Sequence, residues 1–271
     1  MMSLVYVLIM GAVLVVSFKI NVILGIVLSV AMLAYLAYSR LPDFYVIKAR
    51  KAYADGKFSQ AKSLYKKAVD TGRSKPASRI EYSDTLMRTG NYEDAEQVLN
   101  NLLRYKLKPE ISNVAKLRRC MAYFKQNNLK EAYDDAVEIY NEGYKNTYLY
   151  GLLGYFKICR SKTDDDTLNF CMEAYDYNSD DRDITDNLAL CRYYRGEYDE
   201  AKKLSDKIME GNPQFVEAYY HGALIEYALG NYKKALEYLN KTPGCRWSAM
   251  TTVTKDEVRE LKEKAERRMG A

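Results

Sequence analysis

The pattern of apolar and polar positions divides the chain near residue 40. From Met1 to Ser39 the side chains are almost continuously apolar, and Lys19 is the one charged residue. The stretch reads as two apolar runs, 4–18 and 22–38, separated by Lys19 and Asn21. A single helix through both would measure about 54 Å, against a hydrocarbon core of about 30 Å, with a lysine at its costly middle. The pattern therefore predicts a break at Phe18-Lys19-Ile20-Asn21 and a transmembrane helical hairpin over 1–39. Each run is close to the short limit for a span, so a single-pass or partly re-entrant arrangement stays open. No Lys or Arg precedes Lys19, and the apolar length exceeds one signal-peptide core. A retained anchor is the expectation, against a cleaved signal or a pair of buried soluble helices.

Beyond residue 40 the apolar positions fall at helical spacing, punctuated by a recurring turn. Gly56-Lys57-Phe58-Ser59-Gln60-Ala61, Gly90-Asn91-Tyr92-Glu93-Asp94-Ala95, Gly196-Glu197-Tyr198-Asp199-Glu200-Ala201 and Gly230-Asn231-Tyr232-Lys233-Lys234-Ala235 share one pattern. A looser copy is Asn127-Asn128-Leu129-Lys130-Glu131-Ala132. The first two turns and the last two are each about 34 residues apart, a period that means stacked helical pairs. The turn glycine ends the first helix, the aromatic packs back on it, and the alanine allows the second helix to cross closely.

These residues resemble the tetratricopeptide repeat. The best match is 183–213, with Leu188-Ala189, Gly196, Tyr198, Ala201, Ile208 and Asn212-Pro213; the following repeat supplies Tyr219, Ala223, Gly230, Tyr232, Ala235 and Leu239. The first offers Tyr45, Ala49, Gly56, Phe58, Ala61, Tyr65 and Ala68. The copy around Tyr150, Leu153 and Gly154 is degenerate: residues 161–166 replace its turn and Thr167 stands where alanine is usual. Lys116, Cys120 and Arg79 also depart from the pattern. The resemblance implies an all-α chain: a right-handed superhelix of about six helix-turn-helix repeats over 40–253, with a capping helix and tail over 254–271. Thr254-Lys255-Asp256-Glu257 is a capping box for that last helix, with Val258, Leu261 and Ala265 on one stripe.

Composition agrees. Only 5 Pro and 14 Gly occur in 271 residues, as an almost wholly helical chain requires. The five cysteines have no CxxC spacing and read as reduced thiols. A lone His221, read as a surface or groove side chain, leaves little room for metal or His-based acid–base chemistry. No phosphate loop, dinucleotide fingerprint or hydrolase elbow occurs. Ser59-Gln60-Ala61-Lys62 and Ser63-Leu64-Tyr65-Lys66 match SxxK only by coincidence inside a repeat, and Asp164-Asp165-Asp166 reads as a helix start. The expectation is a protein that is not an enzyme and needs no cofactor or metal.

Charge is distributed in two fields. Residues 40–75 hold ten Lys/Arg against three acids, among them Arg40, Lys48, Arg50 and Lys51. Beside a membrane anchor this excess marks the cytoplasmic side of a cell membrane and attracts anionic headgroups; an ordinary solvated helix face is the alternative. Residues 164–186 hold nine acids and one Arg. In the family, first helices line a concave groove that holds a partner segment. Carried onto this chain, the groove positions are Tyr148, Tyr155, Asp183, Asp186, Leu190, Tyr193, Tyr194, Glu217, Tyr220, Leu224 and Tyr227. An acidic, Tyr-rich groove suits a basic or aromatic-containing peptide, unless these tyrosines only pack against neighbouring helices. It argues against the carboxylate clamp of the family's chaperone-binding members, and against nucleic acid.

The expected function is a membrane-anchored interaction scaffold that recruits a protein or peptide partner. The alternative is a non-catalytic subunit or assembly factor of a membrane enzyme or transport complex, in which Gly11, Ala12, Gly25 and Ser29 let the hairpin contact other transmembrane helices.

Overall fold

A computed structural model describes residues 4–270, with side chains from Leu8 onward. Met1–Ser3 of the expected anchor, and Ala271, lie outside the described residues. Among those residues there are 14 α-helices and no strand. The chain divides into two compact units, one up to Arg79 and one from Ile80.

In the first unit, α1 (Leu4–Ile20) and α2 (Val22–Ala54) meet at Asn21, whose side chain accepts hydrogen bonds from the amides of Ile23 (2.8 Å) and Leu24 (3.2 Å). Near this joint Gly25 lies against the Phe18 ring, where a Cβ would come within 2.5 Å of ring carbons. The break thus falls at Asn21, and both helices outrun the apolar limits read from sequence. α2 does not stop near Tyr38: it continues for 33 residues through Pro42 to Ala54. The apolar stretch and the first helix of the first repeat are one rod, because the sequence from 39 to 54 keeps helical spacing and Pro42 removes a single backbone donor. Only Ala49, Ala52, Val46 and Pro42, with Gly25, are buried along α2; it pairs through its second half with α3 (Phe58–Asp70), which buries Ala61, Tyr65 and Ala68. By length and composition α2 is long and apolar enough to cross a membrane, with an 18-residue window of mean hydropathy 2.2.

Helix α4 (Pro76–Arg88) leads into the second unit. There α5 (Tyr92–Leu103) packs on α6 (Pro109–Lys125), followed by the pairs α6 with α7 (Leu129–Asn141), α8 (Thr147–Arg160) with α9 (Asp165–Tyr177), α10 (Arg182–Tyr194) with α11 (Tyr198–Glu210), and α12 (Val216–Ala228) with α13 (Tyr232–Leu239). Each second helix also touches the next first helix, as α7 does α8. First helices touch one another at α8–α10 and α10–α12, forming one face of the stack.

The repeated turn has one geometry. Gly56, Gly90, Gly196 and Gly230 have φ between 74° and 79°, and Asn127 takes the same place at φ 64°. After each, the next amide reaches back five residues: Lys57 to Ala52, Asn91 to Leu86, Asn128 to Tyr123, Glu197 to Arg192 and Asn231 to Glu226. This pairs carbonyls that a helix end leaves open. The alanines that follow, Ala61, Ala95, Ala132, Ala201 and Ala235, are all fully buried, and Thr167 holds the position in the degenerate copy at 2% exposure. That copy lacks the left-handed turn; Ser161 ends α8 in extended backbone, and Asp164 caps α9.

Leu117, Ile139, Leu149, Leu153, Phe156, Phe170 and Ile184 form a continuous core from α6 to α10. Full burial of each such side chain is worth about 1.5–3 kcal/mol. Helix α14 (Lys255–Met269) begins at the expected capping box: the Glu257 amide donates to Thr254 Oγ1 (3.1 Å), and the Thr254 amide to Glu257 Oε2 (2.7 Å). It packs Leu261 and Val258 on the end of the stack with Tyr219, Ala223 and Leu239.

Candidate functional groove

The face made by the first helices carries a cavity of about 420 Å³, within the range of small-ligand and side-chain pockets. Its lining follows helical spacing. Tyr148, Gly151, Leu152 and Tyr155 occupy one face of α8; Asp183, Asp186 and Asn187 come from α10; Glu217 and His221 from α12. Local capping places these helices: Asn146 accepts from the Leu149 amide at 2.8 Å, and Asp181 from the Ile184 amide at 3.0 Å. Asn187 Nδ2 donates to the Gly151 carbonyl at 2.7 Å and ties α10 to α8.

The cavity combines acidic and aromatic side chains in its lining. Asp181, Asp183, Asp186 and Glu217 line it, with no Lys or Arg among the lining residues. Crowding by the groove walls, then the charges of Asp181, Asp186 and Glu217, push Asp183 up to about 6. His221 is buried, not superficial: its Nδ1 lies 2.7 Å from Asp186 Oδ2. Burial alone would lower its pKa; the Asp186 carboxylate, with Glu217 and Glu257, outweighs that and raises it. The sequence places His221 four residues after Glu217, on the groove face, but nothing local marks Asp186 as its partner.

Of the eleven residues assigned to the groove, Tyr148, Tyr155, Asp183, Asp186 and Glu217 are brought together at the cavity. The other six do not line it: Tyr193, Tyr194, Tyr220, Leu224 and Tyr227 are half-buried, and Leu190 is buried. Tyr193 stacks with Tyr194 (ring centroids 5.3 Å apart) and with Tyr198 (5.8 Å), and Lys162 sits over Tyr194. Tyr227 packs on Tyr232, and Tyr220 joins the cluster under α14. The basic residues Arg40, Lys48, Arg50 and Lys51 are all exposed on α2, and Lys48 lies over the exposed Phe44 ring at 4.3 Å. The acids of 164–166 have structural partners: Asp164 caps α9, Asp165 pairs with Arg195 and Asp166 with Lys157.

Sequence reasoning missed one contributor. Between the short turn Thr242–Gly244 and α14, the chain forms an irregular strap that folds into the groove. The Arg246 amide donates to the Gln214 carbonyl (3.0 Å). Tyr92 Oη donates to the Ala249 carbonyl, Lys125 Nζ to the Thr251 carbonyl (3.0 Å), and the Thr252 amide to Glu217 Oε1 (2.8 Å). Met250 and Thr252 line the cavity, beside Met121 and Phe215. The only hint in the sequence is negative: residues 245–253 carry neither the repeat nor a helical stripe.

Comparison with known proteins gives a consistent result. Profiles of the tetratricopeptide repeat match residues 52–119 and 187–249. Among curated proteins none matches the sequence. Solved structures share the fold at low identity. A tetratricopeptide repeat protein from Parabacteroides merdae is 13% identical, with TM-score 0.59 over 84% of this chain and 99% of its own. Pseudomonas aeruginosa pilF is 15% identical, with the same score and coverage. A chain of the APC/C hetero-tetramer Cut9–Hcn1 is 13% identical with TM-score 0.67; 94% of this chain matches 52% of that one.

Proposed function

The chain is a tetratricopeptide-repeat protein, and from that premise we propose that it is a membrane-anchored scaffold that recruits a protein partner through the groove of its second unit. Stacked helical pairs present a long inner surface and carry protein–protein interaction. The observation that carries the specific reading is the 420 Å³ cavity, where four carboxylates meet Tyr148 and Tyr155. A basic side chain of a partner segment matches it: the charged head would face Asp183, Asp186 and Glu217, and the stem would lie along the rings.

The anchor reading rests on the apolar half of α2 and on exposed apolar side chains. Val22, Ile23, Ile26, Val27, Val30 and Leu33 are each more than half exposed. In water such exposure forgoes about 1.5–3 kcal/mol per side chain relative to burial; a hydrocarbon surround removes that cost. Directly after this stretch, Arg40, Phe44, Ile47, Lys48 and Lys51 recur at helical spacing and are exposed, a cationic and apolar face suited to anionic headgroups. Tethering then raises the partner's effective concentration near membrane targets. The same exposed apolar surface favours a second reading, a non-catalytic subunit that packs its anchor against other transmembrane helices; Gly11 has open space around it.

The test is site-specific photo-crosslinking from Leu152 in intact membranes. A discrete adduct is expected, lost when Asp183→Lys and Glu217→Lys are introduced together into protein that keeps its helical melt. An adduct unchanged by the charge reversal overturns the groove reading.

A further inference from the structure

We propose that the strap, residues 246–253, is an internal ligand: it occupies the peptide groove of the resting chain, and an extended segment of a partner replaces it. This rests on the groove reading above. Three observations carry it.

First, the strap is held as a groove holds a foreign peptide. It has no helix or strand of its own. Side chains in and beside the groove hold its backbone: Tyr92 and Lys125 donate to the carbonyls of Ala249 and Thr251, and Glu217 accepts from the Thr252 amide, as it does from the Thr252 hydroxyl (3.2 Å). These groups come from α5, α6 and α12, so the strap is clamped across the stack. Main-chain contacts of this kind supply affinity for an extended segment largely independent of its sequence.

Second, the strap's own bonds are local and polar. Ser248 and Thr251 close a small turn, through the Ser248 amide to Thr251 Oγ1 (3.1 Å), the Thr251 amide to the Ser248 carbonyl (3.1 Å), and the Met250 amide to Ser248 Oγ (3.2 Å). Within 246–253 only Val253 is fully buried; Trp247, Ala249 and Met250 are half-buried, and no helix or strand hydrogen bonding holds the segment. Such a segment belongs to the low end of local stability.

Third, the strap fills the groove only in part. Met250 and Thr252 form one wall of the acidic cavity, and none of the strap side chains lining it carries a charge. Lys125 and Glu217, which hold the strap, would be freed together. A partner segment that supplies a cation to Asp183 and Asp186 and the same backbone to Tyr92, Lys125 and Glu217 repeats the strap's main-chain contacts with those three side chains and adds an ionic contact. That differential interaction is what lets one occupant displace another.

The experiment uses the full chain in detergent micelles and a fluorescein-labelled peptide of the strap's own sequence, Arg-Trp-Ser-Ala-Met-Thr-Thr-Val. The strap is released by Met250→Gly with Thr252→Pro, which deletes the amide bonded to Glu217 and leaves every residue of the groove helices unchanged; Thr252→Pro alone serves if the double variant loses its cooperative melt. Two quantities are read: amide hydrogen exchange in 246–253, and peptide affinity by anisotropy. The proposal expects exchange to accelerate in 246–253 alone and the peptide to bind the variant roughly tenfold tighter than the unmodified chain, since a tethered competitor acts at about millimolar effective concentration. Equal binding to both proteins overturns the internal-ligand proposal and leaves the groove reading standing. Binding to neither, with strap exchange accelerated, overturns the groove reading and the proposal with it.

Discussion

At the scale of single residues, two titrating groups make the second unit more stable in mild acid. Asp183 still meets solvent at its outer edge, but crowding by the groove walls, and then the acids around it, push it up to about 6. An acid with a raised folded pKa binds its proton more tightly when folded, so its cost to stability sets in between about pH 4 and pH 6 and persists above. His221 is raised by Asp186, so the stability its charged form contributes is full below its ordinary pKa and is lost as pH rises through the folded value. Urea denaturation of the full chain should therefore show stability falling from pH 5 to pH 8. Asp183→Asn should add about 1 kcal/mol at pH 7 and nothing at pH 4; water at the outer edge of the side chain screens part of the repulsion. Equal gains at both pH values would contradict this. The turn glycines give a second residue-level prediction. Gly196 has φ 78° and no neighbouring atom within 4 Å of where a Cβ would stand, so Gly196→Ala costs only conformational strain, about 1–2 kcal/mol. Asn127→Gly, at φ 64°, should gain a few tenths of a kcal/mol by thermal melt, because Asn tolerates that region less well than Gly. These turns were legible from sequence because a left-handed residue restricts the amino acids that can fill it. Burial of His221 was not, because its partner lies 35 positions away.

At the scale of elements, α14 depends on its start. Thr254 and Glu257 satisfy each other's amides, and Thr254→Ala should cost about 1 kcal/mol, read as earlier loss of the final helix in hydrogen exchange. A loss spread evenly over the second unit would mean that α14 does not unfold separately. The starts of α9 and α14 and the fully buried alanines were readable beforehand, since capping and close crossing leave local marks; the Asn146 and Asp181 caps of α8 and α10 were not read. The extent of α2 was less so. An apolar run ending near residue 38 gives no sign whether the helix behind it stops. The result is a continuous rod from the apolar half of α2 into its pairing with α3, with Pro42 inside it.

At the scale of the whole molecule, the proposed anchor and scaffold make one testable topology. Protease added to sealed, right-side-out cells should spare residues 42–271, because the cations after residue 39 favour the cytoplasmic side; digestion there would reverse the assignment. The sequence by itself determined the all-α class, the repeats and their turns, and an acidic, Tyr-rich first-helix face, because each of these is written in spacing over one or two helical turns or in a fixed period of about 34 residues. Only the tertiary structure decided which of those residues meet. It drew Tyr148, Tyr155, Asp183, Asp186 and Glu217 around one cavity, set Tyr193, Tyr194, Tyr220 and Tyr227 apart from it, paired His221 with Asp186, and folded residues 246–253 into the groove. The physical reason is range: turns and helix faces depend on neighbours a few positions away, whereas the strap's place depends on bonds such as Tyr92 to Ala249, which join residues 157 positions apart and leave no periodic trace in the chain.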